Sequence, residues 1–210
     1  MRALLFALAV STVSLGYRPA AEACLNEAMY TLDDATRLIV AAEELLEKGK
    51  YAQAKRKAAN TVVAGAAAVD WRFDASKERR DEMEAKRPLL EARQQRVIAI
   101  AQLRLGNAKD AKRRLAALVI RQPDDPGLLA RYAEAKLATG DTSGGAMLVD
   151  LETRDLMPDA AGWVALAKVR DREGDAEARD RALTSCKAIA AKAKDCAFKG
   201  KAKAKPVAKS

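Results

Sequence analysis

The chain has 210 residues, 38 Lys and Arg against 29 Asp and Glu for a formal net charge of +9, half its residues hydrophobic, only 4% aromatic, and no histidine. A composition so poor in aromatic and β-branched residues favours helices over sheets, and 11 glycines and 6 prolines are too few to punctuate an all-β sandwich. The missing histidine removes Ser-His-Asp and Cys-His dyads, histidine-bearing metal sites and any imidazole general base.

Met1 and Arg2 precede an apolar run, Ala3 to Val13, interrupted only by Ser11 and Thr12, and Pro19 leads into Ala21-Glu22-Ala23. A positive start, an apolar middle and a small-x-small site are the ordered parts of a secretory signal peptide, so residues 1–23 are expected to be removed before Cys24 and the mature protein to be periplasmic or secreted. The run is shorter than the ~20 residues of a spanning helix, which sets the anchor reading behind export. A new N-terminal cysteine also raises lipidation. Glu22 fits that pattern poorly, and the lipoprotein reading comes second.

A period of 34 residues runs through the rest. Gly106, Gly140 and Gly174 are each followed by Asn or Asp, preceded seven residues earlier by Ala99, Ala133 and Ala167, and followed nine later by Leu115, Val149 and Leu183. Pro123 and Pro158 close two of the units. A fourth copy lies around Gly49, with Ala42 seven before it and Ala54 five after, the latter matching Ala111 and Gly145. Each copy reads as helix–turn–helix: glycine ends the first helix in a left-handed conformation, Asn or Asp suits the turn and caps the second helix, and the alanines admit close helix contact. The expected fold is an all-α helical-repeat solenoid of antiparallel helix pairs.

This pattern resembles the tetratricopeptide repeat, most closely over Ile98 to Ala111 and on to Gln122-Pro123-Asp124-Asp125-Pro126, with Trp163 where the family usually carries tryptophan. Aligned so, the units are 35–68, 92–125, 126–159 and 160–193. The family's usual aromatic late in the first helix is replaced by Gln102, Lys136 and Arg170, of which Lys136 is expected nearer the surface than Ala133; the first unit lacks the closing proline. The resemblance implies a scaffold that binds a protein or peptide on a concave face formed by the first helices. Carried onto this chain, the groove-facing columns are Arg93, Arg96, Ile100, Leu103 and Arg104, then Ala130, Glu134, Leu137 and Ala138, then Val164, Lys168, Asp171 and Arg172. That face is mixed in charge and lacks the ordered Lys and Asn set with which some family members clamp a C-terminal carboxylate. Cys186 falls in a column where the family places a small residue packed between helices.

Between the first and second units lies an insertion, 69–91. Trp71 and Phe73 are expected to cover the end of the first helix pair, with an exposed anchor for a partner as the alternative. The charged run that follows sets Arg80 four residues from Glu84 and Glu82 four from Lys86, pairing them on one helical face, and Pro88 permits a fresh helix start. Three cysteines allow one intramolecular pair. Cys186 and Cys196 would stand roughly 15 Å apart in an unbroken helix, so their disulfide requires the chain to turn back near 191–195; pairing of Cys24 with either remains the alternative.

The domain is expected to end at Cys196. Eight lysines against one acid from Lys187 onward carry +7, leaving +1 for residues 24–186. The Lys/Ala-rich stretch 197–210 is expected to be a disordered basic tail. Through it the chain could meet an anionic polymer or membrane surface, the rival to the scaffold reading; no specific nucleic acid is expected. The chain has no GxxxxGK[ST], GxSxG or GxGxxG motif, and its carboxylate pairs are accounted for by helix starts and solvated faces. No catalytic residue, metal site or cofactor is assigned.

Overall fold

The computed structural model describes residues 32–63, 77–190, 192 and 196–198. The stretch expected to be a signal peptide, Cys24, Trp71, Phe73, the side chain of Arg80 and the tail from 199 onward lie outside the described residues. Within them the chain forms helices and no strands: α1 (Leu32–Glu47), α2 (Tyr51–Ala59), α3 (Lys77–Arg104), α4 (Ala108–Arg121), α5 (Pro126–Ala138), α6 (Ser143–Thr153), α7 (Ala160–Glu173) and α8 (Ala176–Ile189).

The 34-residue register is a backbone fact. Gly49, Gly106, Gly140 and Gly174 all have φ between 72° and 84°. Behind each, the next residue's N–H reaches back five residues to a carbonyl at 2.8–3.0 Å: Lys50 to Leu45, Asn107 to Gln102, Asp141 to Lys136, Asp175 to Arg170. The glycine N–H closes the inner bond to Leu46, Leu103, Leu137 or Asp171. Four Schellman turns thus satisfy carbonyls that the helix ends would otherwise leave unpaired. A fifth turn of the same form, which the sequence did not suggest, ends α6 on Asp155 at φ 53°, with Leu156 N–H bonded to the Leu151 carbonyl at 2.8 Å.

The expected cap holds at Asp175, which accepts from the Ala178 N–H at 2.9 Å. Asp141 instead stabilises the turn, accepting from the Ser143 N–H at 3.2 Å, while the N-cap of α6 is Thr142, which makes no side-chain cap bond. Asn107 makes no side-chain cap bond.

Packing follows the sequence order. Each helix contacts the next, and α1, α3, α5 and α7 also contact one another in succession, whereas no two of α2, α4, α6 and α8 meet. The odd-numbered helices therefore form one continuous layer and the even-numbered helices the other. The core is a series of small clusters: Ala42, Ala54, Ala58, Val97 and Ile98 join α1, α2 and α3; Ala99, Ala111, Leu115, Leu118, Leu128 and Ala135 join α3, α4 and α5; a larger group around Leu148, Leu151, Leu166 and Ala167 joins α5 through α8. Ala42, Ala99, Ala133 and Ala167, the small column of the first helices, are all fully buried. This is the all-α helical-repeat architecture, in which each unit packs on its neighbours.

Two expectations need correction. Pro88 does not start a helix: α3 runs unbroken for 28 residues with Pro88 inside it. The turns before Leu90 are solvent-exposed, so water can satisfy the Glu84 carbonyl that the proline deprives of a partner, and ion pairs support the helix. Lys86 bonds Glu82 at 2.5 Å, and Arg87 and Glu91 face each other across the proline at 3.9 Å. Lys136, by contrast, lies nearer the surface than the fully buried Ala133, as expected: its side chain is 17% exposed, its ammonium stands 5.3 Å above the Tyr132 ring centroid, and it faces Asp141 at 3.8 Å. Finally, the tail does not begin at 197, because Phe198 packs against the terminal cluster alongside Trp163.

That C-terminal contact is held by chemistry. The Cα atoms of Cys186 and Cys196 lie 5.9 Å apart and their sulfurs are bonded. α8 stops at Ile189, and Ala190 adopts an extended conformation (φ −74°, ψ 130°) that ends the helix. Both cysteines are buried.

Candidate functional site

A cavity lies on the layer of odd-numbered helices, between α3, α5 and α7. It measures about 410 Å³ and is lined by Leu103 and Arg104, by Glu134, Leu137 and Ala138, and by Ala161, Val164, Ala165, Lys168, Val169 and Arg172. The repeat explains the convergence. Leu103 and Leu137 stand 34 residues apart, as do Arg104 and Ala138, and Glu134 and Lys168, so each unit offers the same positions to the same side. Small residues, Ala138, Ala161 and Ala165, open the space that larger ones would fill.

Of the residues expected on the groove, the structure gathers Leu103, Arg104, Glu134, Leu137, Ala138, Val164, Lys168 and Arg172 around this cavity. Arg93, Arg96 and Ile100 are not among its lining. Arg93 borders a separate hollow with Leu32, Thr36, Leu89 and Leu90, and its guanidinium makes two bonds to Glu43 of α1, at 3.0 and 2.6 Å, which raise its pKa. Arg96 pairs with Asp125, and Ile100 is partly buried. Ala130 is fully buried in the core and presents nothing to a groove. Asp171 is turned to α8, where Arg179 meets it at 3.1 Å.

The cavity rests on a buried ionic network. Glu134, only 8% exposed, receives Arg104 from α3 at 2.8 Å and Arg131 from its own helix. Arg131, 9% exposed, also reaches Asp159, whose other oxygen accepts the Gly162 N–H at 3.0 Å and so caps α7. Burial lowers the Arg131 pKa, and Arg104 nearby acts in the same direction, while Glu134 opposes both. One repeat earlier, Asp125 caps α5 through the Leu128 N–H at 3.0 Å while Arg96 binds its other oxygen. Burial raises the Asp125 pKa, but the Leu128 N–H and Arg96 together outweigh it and the net shift is downward. In both places a first-helix arginine holds the aspartate that starts the next first helix.

Nothing in the repeat columns singles out Arg131 as the hub. Asp125 and Asp159 are 34 apart, but Arg96 and Arg131 are 35 apart, so the pairing falls out of the repeat columns. Only the three-dimensional arrangement brings a second arginine onto Glu134.

At positions 102 and 170 polar side chains bridge helices. The Gln102 carboxamide oxygen accepts from Arg114 of α4 at 3.2 Å, and Arg170 reaches Glu152 of α6 at 3.4 Å. Among the described residues, no group of three His, Cys, Asp or Glu side chains could hold a metal ion, and no helix is long and apolar enough to cross a membrane. Comparison of the chain with protein-family models, with curated proteins and with solved structures finds no match in any of the three.

Proposed function

We propose that this protein is an exported, non-enzymatic scaffold of tetratricopeptide-repeat type, holding a segment of a protein partner against its odd-numbered helices. The observation that carries the reading is the 410 Å³ cavity, which three successive units line from equivalent columns. Its size falls within the ~300–1,000 Å³ of pockets that enclose small ligands, enough for a few side chains of a peptide. Export is supported by the signal-like N-terminus and fits the Cys186–Cys196 disulfide, a bond that persists in oxidising compartments. N-terminal sequencing of the mature protein, with Cys24 expected first, tests it.

The test of the scaffold uses a photo-crosslinking residue in intact cells. Placed at Val164, in the cavity, it should capture a discrete partner. Placed at Ile120, 82% exposed on α4, it should capture none. Capture from position 120 and not from 164 would refute the reading.

The second reading, a polyanion binder acting through the basic tail, is favoured by the +7 carried from Lys187 onward. Deletion of 199–210, which spares the Phe198 contact, should abolish binding to anionic polymer and leave capture at position 164 intact.

A further inference from the structure

The charges around the cavity do not cancel. Its lining holds three cations, Arg104, Lys168 and Arg172, and one acid, Glu134. Glu134 is already engaged by Arg104 and by the buried Arg131, whose own second partner is Asp159. That four-membered network is neutral within itself. Lys168 and Arg172 stand outside it, exposed one turn apart on α7, and neither makes an ion pair among the described residues. The acids nearest in sequence are committed elsewhere: Asp171 to Arg179, Glu173 to Arg170, and Asp175 to the start of α8.

The surface beside them is apolar. Leu103, Leu137 and Val164 form walls without hydrogen-bonding side chains. An occupant that matches must therefore bring apolar side chains for the walls and negative charge for the rim. The chain's own C-terminal stretch, with eight lysines and one acid from Lys187 onward, has the wrong sign.

Resting on the scaffold reading, we infer that the partner segment is an acidic amphipathic peptide, its carboxylates meeting Lys168 and Arg172 and its apolar side chains filling the space between α3, α5 and α7. Charges at the rim of an interface mainly steer encounter and select the partner, so the preference is electrostatic and sensitive to salt.

The test is fluorescence anisotropy with the full chain and three labelled twelve-residue peptides. All carry Leu at every third or fourth position, and the remaining positions are Glu, Gln or Lys. The Glu peptide should bind about tenfold more tightly than the Gln peptide, and the Lys peptide least. Lys168→Gln with Arg172→Gln should reduce Glu-peptide binding to the Gln-peptide level, whereas Arg121→Gln on the outer helix α4 should change nothing. Because the tail is itself cationic, the same titration is run with its lysines at 199, 201, 203, 205 and 209 changed to glutamine; the Glu-peptide preference should survive.

Equal binding of the Glu and Gln peptides, a preference lost with the tail charges, or full binding by the Lys168→Gln/Arg172→Gln variant would each overturn the inference. So would failure of all three peptides to bind. Capture at position 164 reports separately on the scaffold reading, and would then stand with a partner of different chemistry.

Discussion

Replacing Gly144 with alanine tests how closely α5 and α6 approach. Gly144 sits in the first turn of α6, and a β-carbon there would lie 2.4 Å from the backbone carbonyl oxygen of Ala133, 3.0 Å from Leu137 Cγ and 3.1 Å from Lys136 Cβ. The first contact is roughly 1 Å short of van der Waals separation and is to backbone, so no side-chain rotation relieves it. The helices must part, and overpacking of this kind costs about 1–3 kcal/mol, against which alanine's better helix propensity returns up to about 1 kcal/mol. A net loss of about 1–2 kcal/mol corresponds to roughly 2–8 °C in a domain of this size. Circular dichroism at 222 nm during a thermal melt reads it. Gly140 is the control. A β-carbon there meets nothing within 4 Å, but φ is 84°, so Gly140→Ala costs only the left-handed strain, about 1–2 kcal/mol. Gly140→Asn should recover part of that loss because asparagine tolerates the conformation, whereas Gly144→Asn should recover nothing. A Gly144→Ala protein as stable as the parent would refute the close approach.

Arg131→Ala should destabilise by about 3–5 kcal/mol in urea unfolding, because it strips a buried partner from Glu134 and from the Asp159 cap; a loss below about 1 kcal/mol would show the network to be solvated. Asp141 predicts a pH effect: the Ser143 hydroxyl and Lys112 ammonium hold its carboxyl at about 2, below the ~3.9 of an unfolded chain. Its contribution is therefore complete above about pH 4 and lost as pH falls toward 2, so the difference in Tm between the parent and Asp141→Asn should shrink over that window, and a constant difference would count against it. Reducing the disulfide, or changing both Cys186 and Cys196 to serine, should cost about 2–3 kcal/mol through the freed loop. Hydrogen exchange should then rise in α7 and α8 while α1 and α2 stay protected, since repeat units couple mainly to their neighbours.

The repeat itself was legible in the sequence because glycine is the one residue that enters the left-handed turn without strain, and a solenoid needs that turn at a fixed interval. The spacing of Gly106, Gly140 and Gly174, with alanines at 99, 133 and 167, therefore reported both the helix ends and the crowded column between helices, and the same spacing carried Leu103, Arg104, Glu134, Lys168 and Arg172 to one side. Asp155 shows the limit: it makes the same turn with no glycine to announce it. Two matters were decided only by tertiary structure. Pro88 stayed inside α3 because its surroundings are solvent, which local sequence does not record. Arg131 became the hub because Arg104 of α3, Glu134 of α5 and the Asp159 that caps α7 converge on it from three parts of the chain, and the sign of the cavity follows from that pairing: with Glu134 neutralised from below, the charge left facing outward is that of Lys168 and Arg172.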